Sequence, residues 1–400
     1  MQQVAPPFRR ILLMAGALVA ALVLAACGSG AGKSGSNGGS YKVVLISDLS
    51  GPYSGVSGPG AVGAEVAIDN INANGGINGK HVNLEVVDSQ SAPAAALAAA
   101  QKAVSENPLA VIMFSGSAGA SSITSLVQST KVPFLSPALA DTSVYPAQPY
   151  LYQPSLTAKQ DAQALYQFVK QKLNGGLSGK TVDVAAITSP YVDVIIKNAT
   201  TLLQADGAKI GNTERYQLPL ASFTTQAGAI SRDRPDAVLV LGSTDDTVVV
   251  SKALKAAGVT SLQVGIPSGA AQTTVQHVAS PNYYALTANP YPSALPEFLS
   301  IADKYGKKAD VSGSIFSMSG WVTAYVVAHA VTQCGASCDS AHLNAALEQV
   351  SNYTVPNGVS YGPVTFSASN HIAASTVRFH NYDPATGKFS ESDPITVQAQ

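Results

Sequence analysis

Apolar positions along the chain fall into two successive series of strand-like and helix-like runs. Tyr41–Ser47 (YKVVLIS) reads as a strand and Val82–Val87 (VNLEVV) alternates as a strand does. Between them a glycine-rich loop feeds a helix, which ends in the turn-rich segment Asn74–Gly79. Pro93–Glu106 is an alanine-rich helix with Pro at a favourable first position. Leu109–Phe114 (LAVIMF) is a continuous apolar run, the pattern of a strand buried on both faces. A helix over about Ala120–Ser129 and a short strand at Val132–Leu135 follow. After Leu156 the alternation restarts. Helices are predicted at Lys159–Lys172, Val192–Asp206 and Thr247–Ala257, and strands at Thr181–Ile187, Ala237–Leu241 and Gln263–Ile266. Two βα series predict the α/β class, with two doubly wound domains, parallel sheets and right-handed crossovers. The C-terminal part changes style. Helices at Phe298–Lys304, Ser319–Val331 and Ala341–Val350 precede strands at Tyr361–Phe366 and Thr376–Asn381, which would complete both sheets and make the domains discontinuous.

The N-terminus lies outside this pattern. Arg9 and Arg10 precede the apolar run Ile11–Leu24, which is short for a membrane span and right for a signal peptide. The run ends at Leu24-Ala25-Ala26-Cys27, so residues 1–27 read as a lipoprotein signal peptide with lipid attached at Cys27. The paired arginines leave general and twin-arginine export both open. Residues 28–40 (GSGAGKSGSNGGS) form a Gly/Ser tether with a reach on the order of 20 Å. Together these predict a protein anchored to the outer face of the cytoplasmic membrane.

Composition removes some classes. The net charge is −1 and 12% of residues are charged, with no basic stripe, so nucleic-acid binding is not expected. Cys334 and Cys338 remain after Cys27, and an exported chain favours pairing them. On a continuous helix their Cβ atoms would be about 5–6 Å apart, too far for a disulfide. The helix is therefore expected to end near Cys334, with Gly335 turning the chain. No Cys/His spacing suggests a metal, and no cofactor is expected.

Two motifs suggest enzymes. Gly58-Pro-Gly60-Ala-Val-Gly63 matches G-x-G-x-x-G, with Asp88 ending the next strand. Three facts oppose a dinucleotide site: the glycines begin roughly ten residues beyond the strand rather than turning directly off it, Pro59 lacks an N–H, and an exported protein meets no dinucleotide pool. Ser115-Gly-Ser117-Ala-Gly119 invites a nucleophile-elbow reading, but Ser115 stands where the elbow needs glycine. The six histidines show no triad spacing. Placed after a buried strand and before a helix, Ser117 suits ligand binding better; Ser121 and Ser122 read as helix caps. Ser136–Asp141 follows a strand end in the same way.

Leu49-Ser-Gly-Pro-Tyr53, Gly63-Ala64, Asn70–Gly79 (NINANGGING), Asp88, Ser136–Ala140 (SPALA) and Tyr361–Phe366 (YGPVTF) resemble the branched-chain amino-acid (Leu/Ile/Val) binding proteins of ABC importers, across about residues 41–395. The resemblance implies a type I periplasmic binding protein fold. Two Rossmann-like lobes are then joined by three crossovers, near Leu156, Ala285–Asn289 and Tyr361–Phe366. Lobe 1 takes residues 41–157 and 286–365, and lobe 2 takes 158–285 and 366–400.

The same resemblance implies a ligand set of Ser117, Ala138 and Ala140 from lobe 1 and Tyr191, Ser243 and Ser268 from lobe 2. Tyr53 lies near Val56, where relatives carry a tyrosine. Ala140 lacks the hydroxyl that helps hold an α-ammonium in relatives, and Ser268 replaces the glutamate that pairs with it. Burying that ammonium unpaired would cost several kcal/mol. Asp141, Asp193, Asp245 and Asp246 are the neighbouring carboxylates. The expected ligand is a small polar or carboxylate-bearing solute without a free α-ammonium, such as an organic or aromatic acid or an amide. The function expected is a monomeric, non-enzymatic, lipid-anchored solute-binding component that closes on its ligand and delivers it to an ABC permease. A ligand sensor of the same fold reporting to a membrane receptor is the alternative, and an extracytoplasmic serine hydrolase a distant one.

Overall fold

The computed structural model describes residues 39–139 and 141–398. The segment read as a signal peptide, Cys27, most of the segment read as a tether, and Ala140 lie outside the described residues.

The strands among those residues build two sheets. The first contains β1 (Tyr41–Ser47), β2 (Val82–Asp88), β3 (Ala110–Phe114), β4 (Phe134–Leu135) and β5 (Leu151–Tyr152), in the order β2-β1-β3-β4-β5. Every pairing in it is parallel. The second contains β6 (Thr181–Ile187), β7 (Lys209–Tyr216), β8 (Ala237–Leu241), β9 (Leu262–Gly265), β10 (Tyr283–Thr287), β11 (Thr376–Asp383), β12 (Lys388–Glu391) and β13 (Ile395–Thr396). Its order is β12-β11-β10-β9-β8-β6-β7, with β13 pairing β11. The run β7-β6-β8-β9-β10 is parallel and repeats the order of the first sheet, while β11 and β12 are antiparallel additions. Each sheet therefore has a topological switch point, β1/β3 in one and β6/β8 in the other. Ligand crevices form outside the carboxyl ends of strands at such points.

Both faces of the first sheet are covered. Val43 and Leu45 point into a cluster with Phe298, Met318 and Trp321. Their neighbours Val44 and Ile46 point into another cluster with Ala96, Ala99, Ala100 and Ala103. The alanine-rich helix Pro93–Ser105 lets that face pack closely. The second sheet has one core, in which Phe168 stacks on Phe379.

The chain passes between the sheets three times. Residues 153–157 link β5 to the helix Ala158–Lys172. The second passage follows β10, and Leu295 already belongs to the first lobe's core. The third lies after Ala373, later than the Tyr361–Phe366 expectation, because Phe366, Ile372 and Ala373 still pack on the first lobe. Hydrogen bonds tie the passages together: Gln153 N to His371 O, Ala373 N to Gln153 O, and Tyr361 N to Ala288 O. Tyr361–Phe366 is not a strand. One bridge, Tyr353 to Val364, is what it forms.

The glycine motif is also corrected. Helix Ser54–Ala73 contains all of Gly58–Gly63, with Pro59 inside it, so these residues are not a loop. The helix expected at Ala120–Ser129 is two short ones, Ser117–Ser122 and Thr124–Thr130. Helix Phe316–Cys334 ends at Cys334, Gly335 follows with φ 87°, and Cys334 and Cys338 form a disulfide.

Candidate functional site

A cavity of about 160 Å³ lies between the lobes, at the carboxyl ends of strands from both sheets. The first lobe contributes Tyr53, Val56 and Ser57 after β1, Phe114 to Ser117 after β3, and Pro137 and Ala138 after β4. The second contributes Ile187, Ser189, Tyr191 and Val192 after β6, Ser243 after β8, and Ile266 to Ser268 after β9. Asn289, Phe316 and Ser319 line it near the passages. The structure thus brings Tyr53, Ser117, Ala138, Tyr191, Ser243 and Ser268 to one cavity. Ala140 lies outside the described residues.

The lobes meet over this cavity. A Cβ built on Gly55 would sit 3.1 Å from the Thr244 hydroxyl, so the helix after β1 touches the helix after β8.

A buried carboxylate organises each wall. Asp48 is fully buried. It accepts from the Ser115 hydroxyl at 3.0 Å, Gly116 N–H at 2.8 Å, Ser91 N–H at 3.1 Å and the Ser89 hydroxyl. These bonds tie the loops after β1, β2 and β3 to one another. A Cβ on Gly116 would meet the Tyr53 ring at 2.9 Å, so glycine there lets the ring lie against the loop after β3. Across the cavity Asp246 accepts from the Tyr216 hydroxyl at 2.7 Å and from Ser243 N–H at 2.9 Å. Burial pushes its carboxyl up, against those hydrogen bonds. Burial, then the charges of Asp246 and Asp48, hold the Tyr53 hydroxyl above the ordinary phenol value.

The polar groups divide into those already used and those free. Ser268 donates to Gly242 O at 2.6 Å, and Ser155 to Pro137 O at 2.8 Å. The Tyr191 hydroxyl donates to Asp161 at 3.1 Å, so its ring is what Tyr191 offers the cavity. No side chain charged at neutral pH lines the cavity among the described residues. Of the neighbouring carboxylates named from sequence, Asp246 lies behind the wall and Asp193 pairs with Arg215. Ser121 and Ser122 bond back within their own helix, to Ser117 O and Gly119 O.

Sequence reasoning missed Asp48, Ser57, Phe316 and Ser319. For Asp48 the signal was an acidic residue directly after a buried strand. For the apolar lining none existed, since such residues look like core.

Residues 40–388 match the family described as Periplasmic binding protein. The chain belongs to that family. Solved structures give this periplasmic binding protein its fold, type I. One is a periplasmic binding protein type 1 from Bordetella pertussis Tohama I, with TM-score 0.74 and 18% identity, covering 89% of this chain and 100% of that one. A branched-chain amino acid ABC transporter protein from Thermus thermophilus, with bound valine, has TM-score 0.79 and 16% identity over 90% and 97%. A fatty acid ABC transporter substrate-binding protein from Thermomonospora curvata has TM-score 0.77 and 17% identity over 90% and 93%. No curated protein matches the chain in sequence.

Proposed function

We propose that this periplasmic binding protein is the solute-binding component of an ABC importer, exported and anchored through a lipid on Cys27. It captures a small solute lacking a free α-ammonium, without making or breaking a bond, and presents it as a monomer to a permease. The observation that carries this reading is the cavity itself. It sits at the switch points of both sheets, and the lobes touch beside it at Gly55 and Thr244. Similar structures come from proteins described as taking valine or fatty acid. The valine protein supports the transport class rather than the ligand. Where relatives carry a glutamate for the ammonium, Ser268 is bonded to Gly242 O. No histidine lines the cavity among the described residues, so none of its serines has there the imidazole partner of a Ser–His pair.

Closure is then a population shift. A solute touching both lobes binds the closed form better, and that difference drives closure. Ser117 and the backbone at Ala138 hold it from the first lobe, and the Tyr191 ring with the Ser243 and Ser268 loops from the second.

A thermal-shift screen of the protein from Ser40 onward against a metabolite library, with native mass spectrometry for co-purified ligand, tests this. Ligand at a hundred times its Kd adds about 2.7 kcal/mol, a shift of several degrees. Ser117→Ala and Tyr191→Ala should reduce that shift without unfolding the free protein. Leucine, isoleucine and valine should be silent. Nanomolar to low-micromolar leucine binding by calorimetry would overturn the ammonium argument, and a hit unaffected by both replacements would overturn the site.

A further inference from the structure

The cavity walls carry more information about the solute than its lack of an ammonium. Lining side chains include no Asp, Glu, Lys, Arg or His among the described residues. Carboxyl groups stand behind the wall on both lobes, Asp161 among them, which accepts from the hydroxyl of the lining Tyr191. Asp48 is bonded to Ser115 and Gly116, and Asp246 to Ser243, all three of which line the cavity.

That arrangement works against an anion in two ways. A carboxylate entering between Ser117 and Ser243 would face carboxyl groups on both sides, each of which repels it when ionised, in a setting with little water to screen them. It would also find three donors of the wall taken. The Gly116 N–H and Ser115 hydroxyl point at Asp48, and the Ser243 N–H points at Asp246. A cation fares little better. Asp48 already accepts four hydrogen bonds and Asp246 two, and neither carboxylate reaches the lining. An ion stripped of water and left without a direct partner pays its full desolvation cost.

What remains suits a neutral molecule. Phe114, Ile187, Val192, Ile266 and Phe316 present apolar surface. Ser57, Ser117 and Ser319 also line the cavity, and only their carbonyl groups are engaged by side chains among the described residues. A hydroxyl both donates and accepts, so it serves an amide, carbonyl or alcohol equally well.

We infer that the solute is uncharged at neutral pH, with an apolar body and a few amide, carbonyl or hydroxyl groups, and that Asp48 and Asp246 exclude its ionised analogues. This rests on the solute-binding reading and narrows it, removing the carboxylate-bearing solutes that the family resemblance allowed.

Matched triplets test it at pH 7.5: hexanamide against hexanoate and hexylamine, and phenylacetamide against phenylacetate and phenethylamine. Thermal shift and calorimetry on the wild-type protein should rank each amide above both ions by more than about tenfold. Asp48→Asn keeps an acceptor for Gly116 N–H and should narrow the gap between acid and amide. Asp246→Asn reads the same effect from the other lobe should Asp48→Asn fail to fold. An acid or amine that binds as tightly as its amide overturns the inference, as does an unchanged gap in a folded variant. Should neither triplet bind, the charge of the metabolite-screen hits decides: neutral hits support the inference and ionic hits overturn it. A screen with no hit of any kind removes the binding-protein reading and this inference with it.

Discussion

Gly63→Ala is expected to cost on the order of 3 kcal/mol of stability, and Gly58→Ala, five residues away in the same helix, close to nothing. A Cβ at Gly63 would lie 1.9 Å from the carbonyl oxygen of Ser317. The reciprocal position, Gly320, would put its Cβ 1.9 Å from the carbonyl of Gly60. Helices Ser54–Ala73 and Phe316–Cys334 therefore touch backbone to backbone. Neither partner is a flexible side chain that can step aside, so alanine must push the helices apart and open the core around Trp321. Overpacking usually costs about 1–3 kcal/mol, and contact with rigid backbone sits at the top of that range. Gly58 has no atom within 4 Å of its would-be Cβ outside its own chain neighbours, and the clash of an alanine Cβ with the following Pro59 ring offsets the helix propensity alanine brings, so the net effect is small. Melting curves of the two variants should part by several degrees, with Gly63→Ala the lower and Gly58→Ala close to the wild type. Equal effects would mean that the close approach of the helices is not what these glycines provide.

Asp183→Asn should raise the melting temperature at pH 8 and leave it nearly unchanged at pH 4. Asp183 lies in β6 and is fully buried, with neither carboxylate oxygen hydrogen-bonded among the described residues. Its carboxyl crowds Gly211 of β7, where the Asp233 carboxylate also sits. Burial first, then the Asp233 charge, raises the Asp183 pKa to about 7. A raised folded-state value means that the neutral acid is the form the fold favours. The stability it allows is complete below the unfolded value near 3.8 and is lost as pH rises through about 7. Above that, the ionised group costs on the order of 3 kcal/mol. Asparagine has the same shape and no charge, and its amide can donate to Asp233, so it escapes the cost. Melts at pH 4, 6 and 8 should show the advantage of the variant growing with pH; a constant difference would contradict the assignment.

How much of this was legible in the sequence depended on burial. Strands β1, β3, β6 and β8 are buried along nearly their whole length, so their apolar runs stand out. Strand β7 (KIGNTERY) forms one edge of its sheet, half in solvent, and carries no apolar period to find. The G-x-G-x-x-G spacing was real but ambiguous. Gly60 and Gly63 lie three apart on one helix face and meet a partner helix; Pro59 and the distance from β1 argued against a phosphate loop, but nothing in one sequence named the partner helix. Ser117 was legible from its place after a buried strand and before a helix, while Ala138 and Tyr191 reached the cavity through resemblance to relatives. Their chemistry came only from the structure, which ties the Tyr191 hydroxyl to Asp161 and gives the walls to Asp48 and Asp246.

Closure of the lobes on a solute is measured most directly by the distance across the cleft rim. Spin labels on Ser54→Cys and Asp245→Cys would flank the contact between Gly55 and Thr244. The protein from Ser40 onward lacks Cys27, and Cys334 and Cys338 are bound to each other, so the introduced cysteines alone would take label. Electron-resonance distance measurement with and without a solute from the metabolite screen should show a long or broad distribution that collapses to the short separation of the closed rims. Identical distributions in the two states would contradict capture by closure.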